Sequence, residues 1–284
     1  MRIIRSDPDP LPDKIKELIG RLEERRKAKV FALISPNTLD TELQEEICKA
    51  LRTADKIETL DILLDSVGGD IDAIYQLLTR FRSLSSKLEV LVPDYAKSGA
   101  TFFCLGADSI CLSNTAELGP LDAQIPDPRK SGEFMSALDA FKALEYLRRY
   151  AMETLDVTVK LILERSQLSI KEALEEATHL VSILMTPLYQ QVRPLDLGEY
   201  NRILAIGEEY GRRVMGRYSY NGLSEQEING ILQRMIWAYP SHSFVIDYDE
   251  ARRLGLHVVL LDEMDDVETK EILDLVDELI GFVT

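Results

Sequence analysis

The chain has 284 residues, of which 45% are hydrophobic, so it is long enough to bury a large core. Its 49 acidic and 33 basic residues give a formal net charge of −16. This charge repels phosphate backbones and anionic membrane surfaces, and it argues against nucleic acid as a partner.

The first half of the chain alternates between helical and strand patterns. Apolar residues recur every three to four positions in an amphipathic helix over about 11–27, which we expect to cover the sheet or a subunit interface. The predicted strands are then 30–35, 59–66, 88–93 and 109–113, and the predicted helices lie near 39–53, 70–85 and 99–106. Strands that are apolar almost throughout and separated by helices indicate a parallel sheet covered on both faces by right-handed crossovers. The expected fold class is α/β.

The second half is predominantly helical in pattern. Residues 126–133 have the composition of a loop, and helical periodicity continues from there to about residue 237. A short helix and one further strand follow, and an acidic amphipathic helix spans about 265–280. We expect four segments, which are a leader with its helix (1–27), a β/α core (28–125), a helical insertion or assembly region (126–237) and a closing β/α segment with a helix (238–284).

The cysteines and the apolar runs indicate the cellular compartment of the protein. Cys48, Cys104 and Cys111 are odd in number and lack CxxC or Cys/His spacing, so we expect buried reduced thiols without disulfides or zinc. No apolar run approaches the roughly 20 residues that span a bilayer. The first fourteen residues also lack the apolar region of a secretory signal. We therefore expect a soluble cytoplasmic protein that needs no cofactor or metal.

Two short motifs follow consecutive predicted strands and contain the residues that could build an acyl-transfer site. They are Ser-Val-Gly-Gly-Asp at 66–70 and Lys-Ser-Gly-Ala at 97–100. In parallel sheets, ligands collect at the carboxyl ends of the strands, where both motifs fall. Gly68 and Gly69 can present unobstructed backbone amides to a developing negative charge, although a tight structural turn explains the same pair.

Ser98 is the candidate nucleophile. It follows a strand and precedes small residues and an apolar helix, so its hydroxyl is expected at a helix N-terminus beside the Gly99 amide. Small residues after the serine would leave room for a substrate backbone. A structural helix cap is the alternative interpretation, since serine is common at N-caps.

These motifs resemble the Clp-protease and signal-peptide-peptidase superfamily, and within it the SDH-type, or serine dehydrogenase proteinase, family. The resemblance covers about residues 28–125, from the Ser-x-Gly-Gly segment through KSGATFFCLGADSICLSNTAELGPLDAQI, and resumes in HSFVIDYDEARRLGLHVV. It implies a Clp/crotonase-like spiral of parallel strands and a serine peptidase. It also implies Ser98 as nucleophile, with Gly68, Gly69 and the Gly99 amide near the oxyanion. Val67 departs from the proline that many superfamily members have in this motif.

The general base is less clear from the sequence. Clp-type enzymes have a histidine about 25 residues after the nucleophile, and none lies there in this chain. Signal-peptide-peptidase relatives use a lysine some 40 to 50 residues downstream, and Lys142 follows Ser98 by 44 residues. Lys142 is therefore the first choice, although a solvated surface lysine is an equal alternative. Lys160 and Lys97 are weaker candidates.

Histidines and one acidic residue supply further alternatives. His242 lies in the segment that resembles the family's closing motif, and it could contact substrate, act as base or make a structural hydrogen bond. Asp122 falls near the position of a Clp-type catalytic histidine, although it could simply cap a loop. His179 and His257 have the patterns of structural residues.

Three functions fit these features. The first is a cytoplasmic serine peptidase that cleaves peptides or unfolded segments through an acyl-enzyme, within a homo-oligomer. The second is a crotonase-like acyl-CoA enzyme, which would use the paired amides for an enolate and would not need Ser98. The third is a Clp-fold scaffold that has lost catalysis.

Overall fold

The computed structural model describes residues 11–35, 38–127, 130–131, 133–263 and 266–283. The described strands are β1 (Lys29–Ser35), β2 (Ile57–Ser66), β3 (Ser85–Val92), β4 (Tyr95–Ala96), β5 (Ser109–Leu112), β6 (Glu117–Leu118), β7 (Gln124–Pro126), β8 (Phe134–Ser136) and β9 (Val258–Leu260). The described α-helices are α1 (Asp13–Arg26), α2 (Thr41–Ala50), α3 (Ile71–Leu84), α4 (Gly99–Cys104), α5 (Ala137–Arg165), α6 (Ile170–Tyr189), α7 (Pro194–Arg217), α8 (Glu225–Gln233), α9 (Tyr248–Leu254) and α10 (Asp266–Val283).

The chain forms two compact units. One unit contains residues 1–122 and 206–284, and the other contains residues 123–205. The four-segment division expected from the sequence is not decided by these units and stays a prediction.

The first unit is built on a parallel sheet. Its strands follow the order β6-β4-β2-β3-β5-β9, and β1 pairs with β2. Every one of these pairings is parallel. Because consecutive parallel strands need crossover connections, the helices predicted between them form at the expected places. The expected α/β class with crossover helices is thereby confirmed.

Short strands extend the sheet near the two motifs. β3 pairs with β2 as far as Leu63, and β4 pairs with β2 at Ser66. β6 then pairs with β4 through Leu118 and Ala96. The sheet is thus extended beside the carboxyl end of β2, and the residues after β4 lie beside the residues after β2.

Helices α1 and α10 cover the sheet with one apolar cluster. The buried face of α1 consists of Ile15, Leu18, Ile19 and Leu22, as the helical spacing predicted. These side chains pack in the same core cluster as Ile272, Leu275, Val276 and Leu279 of α10 and side chains of β1, β2, β3 and β5. Burial of this face stabilises the unit by roughly 25 cal/mol for each Å² of apolar surface removed from water.

A buried arginine joins α1 to the sheet and to α10. The Arg26 guanidinium forms ion pairs with Asp61 of β2, Glu89 of β3 and Glu268 of α10. Its side chain is 7% exposed. Arginine suits this position because its planar fork bonds several carboxylates at once and stays charged when buried. The cluster explains two acidic residues within otherwise apolar strands.

The second unit is a helical body with a small hairpin. β7 and β8 pair antiparallel, through Ile125 and Met135. The helices α5 and α6 follow, together with the first part of α7. The predicted loop at 126–133 includes residues 128, 129 and 132, which lie outside the described residues. The expected run of helices beyond it is confirmed.

Two further expectations concern the cysteines and membrane-spanning helices. All three cysteines are free thiols, with Cys104 and Cys111 buried and Cys48 half-buried. Of the helices in the described residues, none combines the length and apolar character needed to cross a membrane.

Candidate active site

The loop that contains Gly68 and Gly69, which we call the glycine loop, lies between the end of β2 and the start of α3. Leu39 N donates to Gly68 O at 2.7 Å, and Asp70 N donates to Leu39 O at 2.9 Å. The Asp70 carboxylate caps α3 by accepting a hydrogen bond from Ala73 N at 2.8 Å. The two backbone bonds to Leu39 hold the glycine pair on either side. The Asp70 cap fixes the start of the helix that follows it.

The glycine loop lies directly against the turn that contains Ser98. A Cβ on Gly68 would lie 2.5 Å from Lys97 O and 2.6 Å from Gly99 N, and the φ of Gly68 is +93°. Lys97 N also donates to Ser66 O at 3.0 Å. Glycine is needed at position 68 for both its backbone conformation and this close approach. The two motifs therefore adjoin, as their positions after neighbouring strands predicted.

Ser98 has a backbone conformation that L-residues rarely adopt. Its φ is 51° and its ψ is −119°. Ala100 N donates to Lys97 O at 2.8 Å, which closes a four-residue turn with Ser98 in the first central position. These angles match the first central residue of a type II′ turn, a position that favours glycine. A serine there costs on the order of 1–3 kcal/mol, and such strain concentrates at functional sites.

The Ser98 side chain does not serve as a helix cap. Although Ser98 is the N-cap of α4, its hydroxyl makes no capping hydrogen bond. The buried Thr101 instead holds the turn, because its hydroxyl donates to Ala96 O and accepts from Gly119 N at 2.9 Å. The helix-cap interpretation of Ser98 is therefore not realised, and the residue is half-buried.

Two backbone amides near Ser98 donate to no acceptor in the described part of the chain. Within the ranges the structure describes, the N–H groups of Gly69 and Gly99 donate to no protein acceptor. Gly69 N lies 3.1 Å from the position that a Cβ of Gly99 would take, so the two donors adjoin. The Gly68 amide donates to Ser66 Oγ at 3.1 Å, and an oxyanion would have to compete with that hydroxyl for it. Donors of this kind can bond to water or to an anion.

The candidate lysines differ in their surroundings. Lys97 Nζ lies 2.6 Å from a Glu117 carboxylate oxygen and donates to Leu118 O at 3.2 Å, so its ammonium is engaged at β6. Lys160 is 76% exposed and lies 3.9 Å from Glu164. Lys142 is half-buried on α5, within the second unit. Ser98 belongs to the first unit, and Lys142 stays a prediction as its base.

His242 and Asp122 meet within the first unit. His242 Nδ1 lies 3.0 Å from Asp122 Oδ1, and Asp122 is 3% exposed. The sequence named both residues as accessory candidates but gave no sign that they pair, because 120 positions separate them. The other histidines lie elsewhere. His257 stacks on Tyr220 with ring centroids 4.4 Å apart, and His179 is exposed on α6.

No cluster of three or more potential metal ligands occurs among the residues that the structure describes. The acyl-transfer chemistry considered for this site depends on a nucleophile, a base and oxyanion donors, and it calls for no metal.

Asp65 is a second unusual group, one residue before the glycine motif. Its side chain is buried, and Oδ2 has no hydrogen-bond partner among the described residues. Burial, with a contribution from the nearby Asp94 charge, raises the pKa of Asp65 to about 6. The folded state therefore binds the Asp65 proton more tightly than the unfolded chain does.

This pKa gives a pH-dependent stability prediction. A raised pKa in the folded state stabilises the fold fully below the unfolded value near 3.8, and the stabilisation is lost as the pH rises through about 6. We expect Asp65→Asn to increase the free energy of unfolding by about 2 kcal/mol at pH 8 and to change it little at pH 4. Urea unfolding at the two pH values measures this. Equal effects at both values would contradict the assignment.

Comparison with known proteins gives one family and two relatives in sequence. Residues 11–143 match the model of a family described as ClpP-like SDH-type serine proteinase. Two uncharacterized proteins of Methanocaldococcus jannaschii are similar. MJ0137 is 31% identical over 108 residues, covering 38% of this chain and 38% of that protein, and MJ1495 is 29% identical over 119 residues, covering 38% and 41%. The matched part thus spans about two fifths of these relatives' length.

One solved structure is also similar. It is a serine-to-alanine mutant of the 1510-N membrane-bound stomatin-specific protease, with 12% sequence identity and a TM-score of 0.44. The alignment covers 81% of this chain and 78% of that one.

Proposed function

We propose that this chain, whose residues 11–143 match the family of ClpP-like SDH-type serine proteinases, cleaves peptide bonds through an acyl-enzyme on Ser98. The observation that carries the proposal is the arrangement around the Ser98 turn. Ser98 has a glycine-like backbone conformation and a hydroxyl that makes no capping hydrogen bond, and its turn adjoins the Gly69 and Gly99 amides, which donate to no acceptor among the described residues. A purely structural turn of this type would favour glycine at position 98 and would not need the two amides to adjoin.

The chemistry follows from the roles of these groups. The Ser98 oxygen attacks the carbonyl carbon of the scissile bond, and the carbonyl oxygen gains the negative charge. The Gly69 and Gly99 amides donate to that oxygen, and each such donor contributes roughly 3–4 kcal/mol to transition-state stabilisation in enzymes of this kind. The bonds at Leu39 and Thr101 fix the loops in advance, so little reorganisation is needed when the charge forms.

The finer parts of the function stay proposals. Lys142 is the base that the sequence favours, and His242 is the alternative. Assembly into a homo-oligomer and a cytoplasmic location are also proposals that rest on the sequence. The substrate class is peptide, as the family implies.

Covalent labelling tests this function. We expect a fluorophosphonate probe to label the purified, folded chain, and mass spectrometry of the digested protein to find the adduct on the peptide that contains Ser98. A crotonase-like acyl-CoA enzyme or an inactive scaffold would not be labelled there. A folded protein that stays unlabelled between pH 6 and pH 9 would contradict the proposal.

A further inference from the structure

Exposed apolar side chains are concentrated on the helices of the second unit. Most of the large hydrophobic side chains that are exposed in the described residues lie within this unit, residues 123–205. Those on α5 are Tyr146, Tyr150, Met152, Val157 and Leu161, of which Val157 is the most exposed at 58%. An apolar surface that stays in contact with water is typical of an interaction site.

Five exposed residues form a straight row along one side of α5, which we call the α5 stripe. They follow one another at spacings of four, four, three and four positions, which align on an α-helix. The α5 stripe consists of Arg149, Glu153, Val157, Lys160 and Glu164. About half a helical turn away lies a row of half-buried residues, which are Leu144, Ala151, Leu155, Thr158 and Ile162. The α5 stripe therefore lies on the side of the helix opposite the side that is packed.

The charges of the α5 stripe alternate in sign on either side of Val157. In chain order the side chains are positive, negative, apolar, positive and negative. Arg149 lies 3.9 Å from Glu153, and Lys160 lies 3.9 Å from Glu164. Ion pairs this long between exposed side chains contribute little to the free energy of folding, so these charges can readily pair with another molecule.

The order of the charges makes the α5 stripe complementary to itself when a second copy runs in the opposite direction. Arg149 and Glu164 are eight and seven residues from Val157, on opposite sides of it. Glu153 and Lys160 are four and three residues from it. When two antiparallel copies place Val157 against Val157, Arg149 of each copy therefore faces Glu164 of the other. Glu153 of each copy likewise faces Lys160 of the other, whereas parallel pairing in register would oppose like charges.

We infer that α5 pairs with α5 of a second copy of this chain, antiparallel and about a two-fold axis near Val157. The same surface of both copies takes part, so the axis generates each ion pair twice. The contact thus contains two pairs of Arg149 with Glu164 and two pairs of Glu153 with Lys160. This pairing does not depend on the role proposed for Ser98, and it gives the expected homo-oligomer a defined surface.

The apolar residues of α5 fit the same register. Tyr150 and Leu161 lie beside Val157 on one edge of the α5 stripe, and the charged residues lie toward the other edge. Like edges of the two helices face each other across a two-fold axis. Tyr150 of one copy therefore lies within about one helical turn, ~5 Å, of Leu161 of the other. The interface thus combines an apolar seam with a seam of ion pairs.

The size of the contact predicts a reversible dimer. Residues 149–164 span about 23 Å along the helix axis. A single helix pair of this length is at the small end of specific interfaces, which bury about 1,200–2,000 Å² in total. We therefore expect a dimer that dissociates on dilution.

Charge reversal tests the pairing by sedimentation equilibrium of the full chain. We expect the wild type to shift from monomer to dimer as its concentration rises. Arg149→Glu and Glu164→Arg should each raise the dimer dissociation constant at least about 10-fold, because each turns two attractive pairs into repulsive ones. The double variant restores both pairs and should dimerise within about threefold of the wild type. Circular dichroism shows whether each variant keeps the helix content of the wild type.

The double variant and a mixture of the single variants distinguish the interface from effects on the helix itself. Each reversal places like charges four residues apart within α5, and the double variant retains both of these local repulsions. Recovery of the dimer in the double variant therefore reports contact between copies. An equal mixture of the two single variants should also form dimers, because each variant supplies the charges that the other lacks.

Cross-linking at position 157 tests the register. Helix axes about 8–10 Å apart bring facing Cα atoms to roughly 4–6 Å, which suits a disulfide. We expect Val157→Cys, treated with oxidised glutathione, to form a covalent dimer that a reductant reverses. Thr178→Cys, at an exposed position on α6, is the matched control and should cross-link no more than the wild type does through its native thiols.

Four results would each overturn the pairing. A wild-type chain that stays monomeric throughout the concentration range would show that the α5 stripe does not bind a second copy. Single reversals that leave the dissociation constant unchanged, or a double variant that does not recover, would exclude the proposed ion pairs. A Val157→Cys variant that cross-links no faster than Thr178→Cys would exclude the register. Labelling at Ser98 is measured separately, so failure of the pairing leaves the proposed function standing.

Discussion

Replacement of Ser98 by alanine is expected to abolish both peptide hydrolysis and fluorophosphonate labelling. Without the hydroxyl oxygen no acyl-enzyme can form, and removal of a catalytic serine lowers kcat on the order of 10⁴- to 10⁶-fold. The variant should be at least as stable as the wild type, because alanine removes a hydroxyl that makes no hydrogen bond in the described structure. Hydrolysis of a fluorogenic peptide and thermal unfolding of the same preparations measure both effects.

Ser182→Ala is the matched control for this experiment. Ser182 is an exposed serine on α6, and its substitution should leave labelling and hydrolysis unchanged. Retention of the wild-type hydrolysis rate in Ser98→Ala would show that Ser98 is not the nucleophile. Loss of activity accompanied by unfolding would assign Ser98 a structural role.

Gly68→Ala is expected to damage both stability and activity. The new methyl group would lie 2.5 Å from Lys97 O and 2.6 Å from Gly99 N, and the φ of +93° disfavours any L-side chain. We expect a loss of about 2–4 kcal/mol in the free energy of unfolding. Because the Ser98 turn must move away, the Gly99 amide leaves its position, and labelling should slow by about 10²-fold or more.

Gly207→Ala is a control for which the expected change in the free energy of unfolding has the opposite sign. A Cβ at Gly207 would have no described atom within 4 Å outside its own helix backbone, and the residue lies within α7. Alanine should therefore stabilise the helix by about 0.5–1 kcal/mol and leave labelling unchanged. Chemical unfolding of both glycine variants compares them. Equal stability of Gly68→Ala and wild type would contradict the close packing of the two loops.

Local patterns in the sequence were sufficient to predict the sheet and its helices. The apolar strands at 30–35, 59–66 and 88–93 and the amphipathic helix at 11–27 each signal their structure within a few residues. The sequence also placed the glycine motif and the Ser98 motif at the same edge of a parallel sheet, although the strand that directly precedes Ser98 is β4 and not the predicted strand at 88–93.

Features that depend on distant parts of the chain could not be predicted in this way. The strands β4 and β6 have two residues each, which is too short for an alternating apolar pattern to show in the sequence. They form by pairing with the neighbouring strands, β4 with β2 and β6 with β4. The contact between His242 and Asp122 joins residues that are 120 positions apart in the sequence. The strained conformation of Ser98 is likewise imposed by its surroundings, since a Ser-Gly pair alone predicts an ordinary turn or cap.

The most direct test is a crystal structure of the chain bound to a peptide boronate. We expect a covalent bond between the Ser98 oxygen and boron, with one boronate oxygen about 3 Å from the Gly69 and Gly99 amide nitrogens. A boronate bonded to another residue, or one whose oxygens face away from both amides, would contradict it.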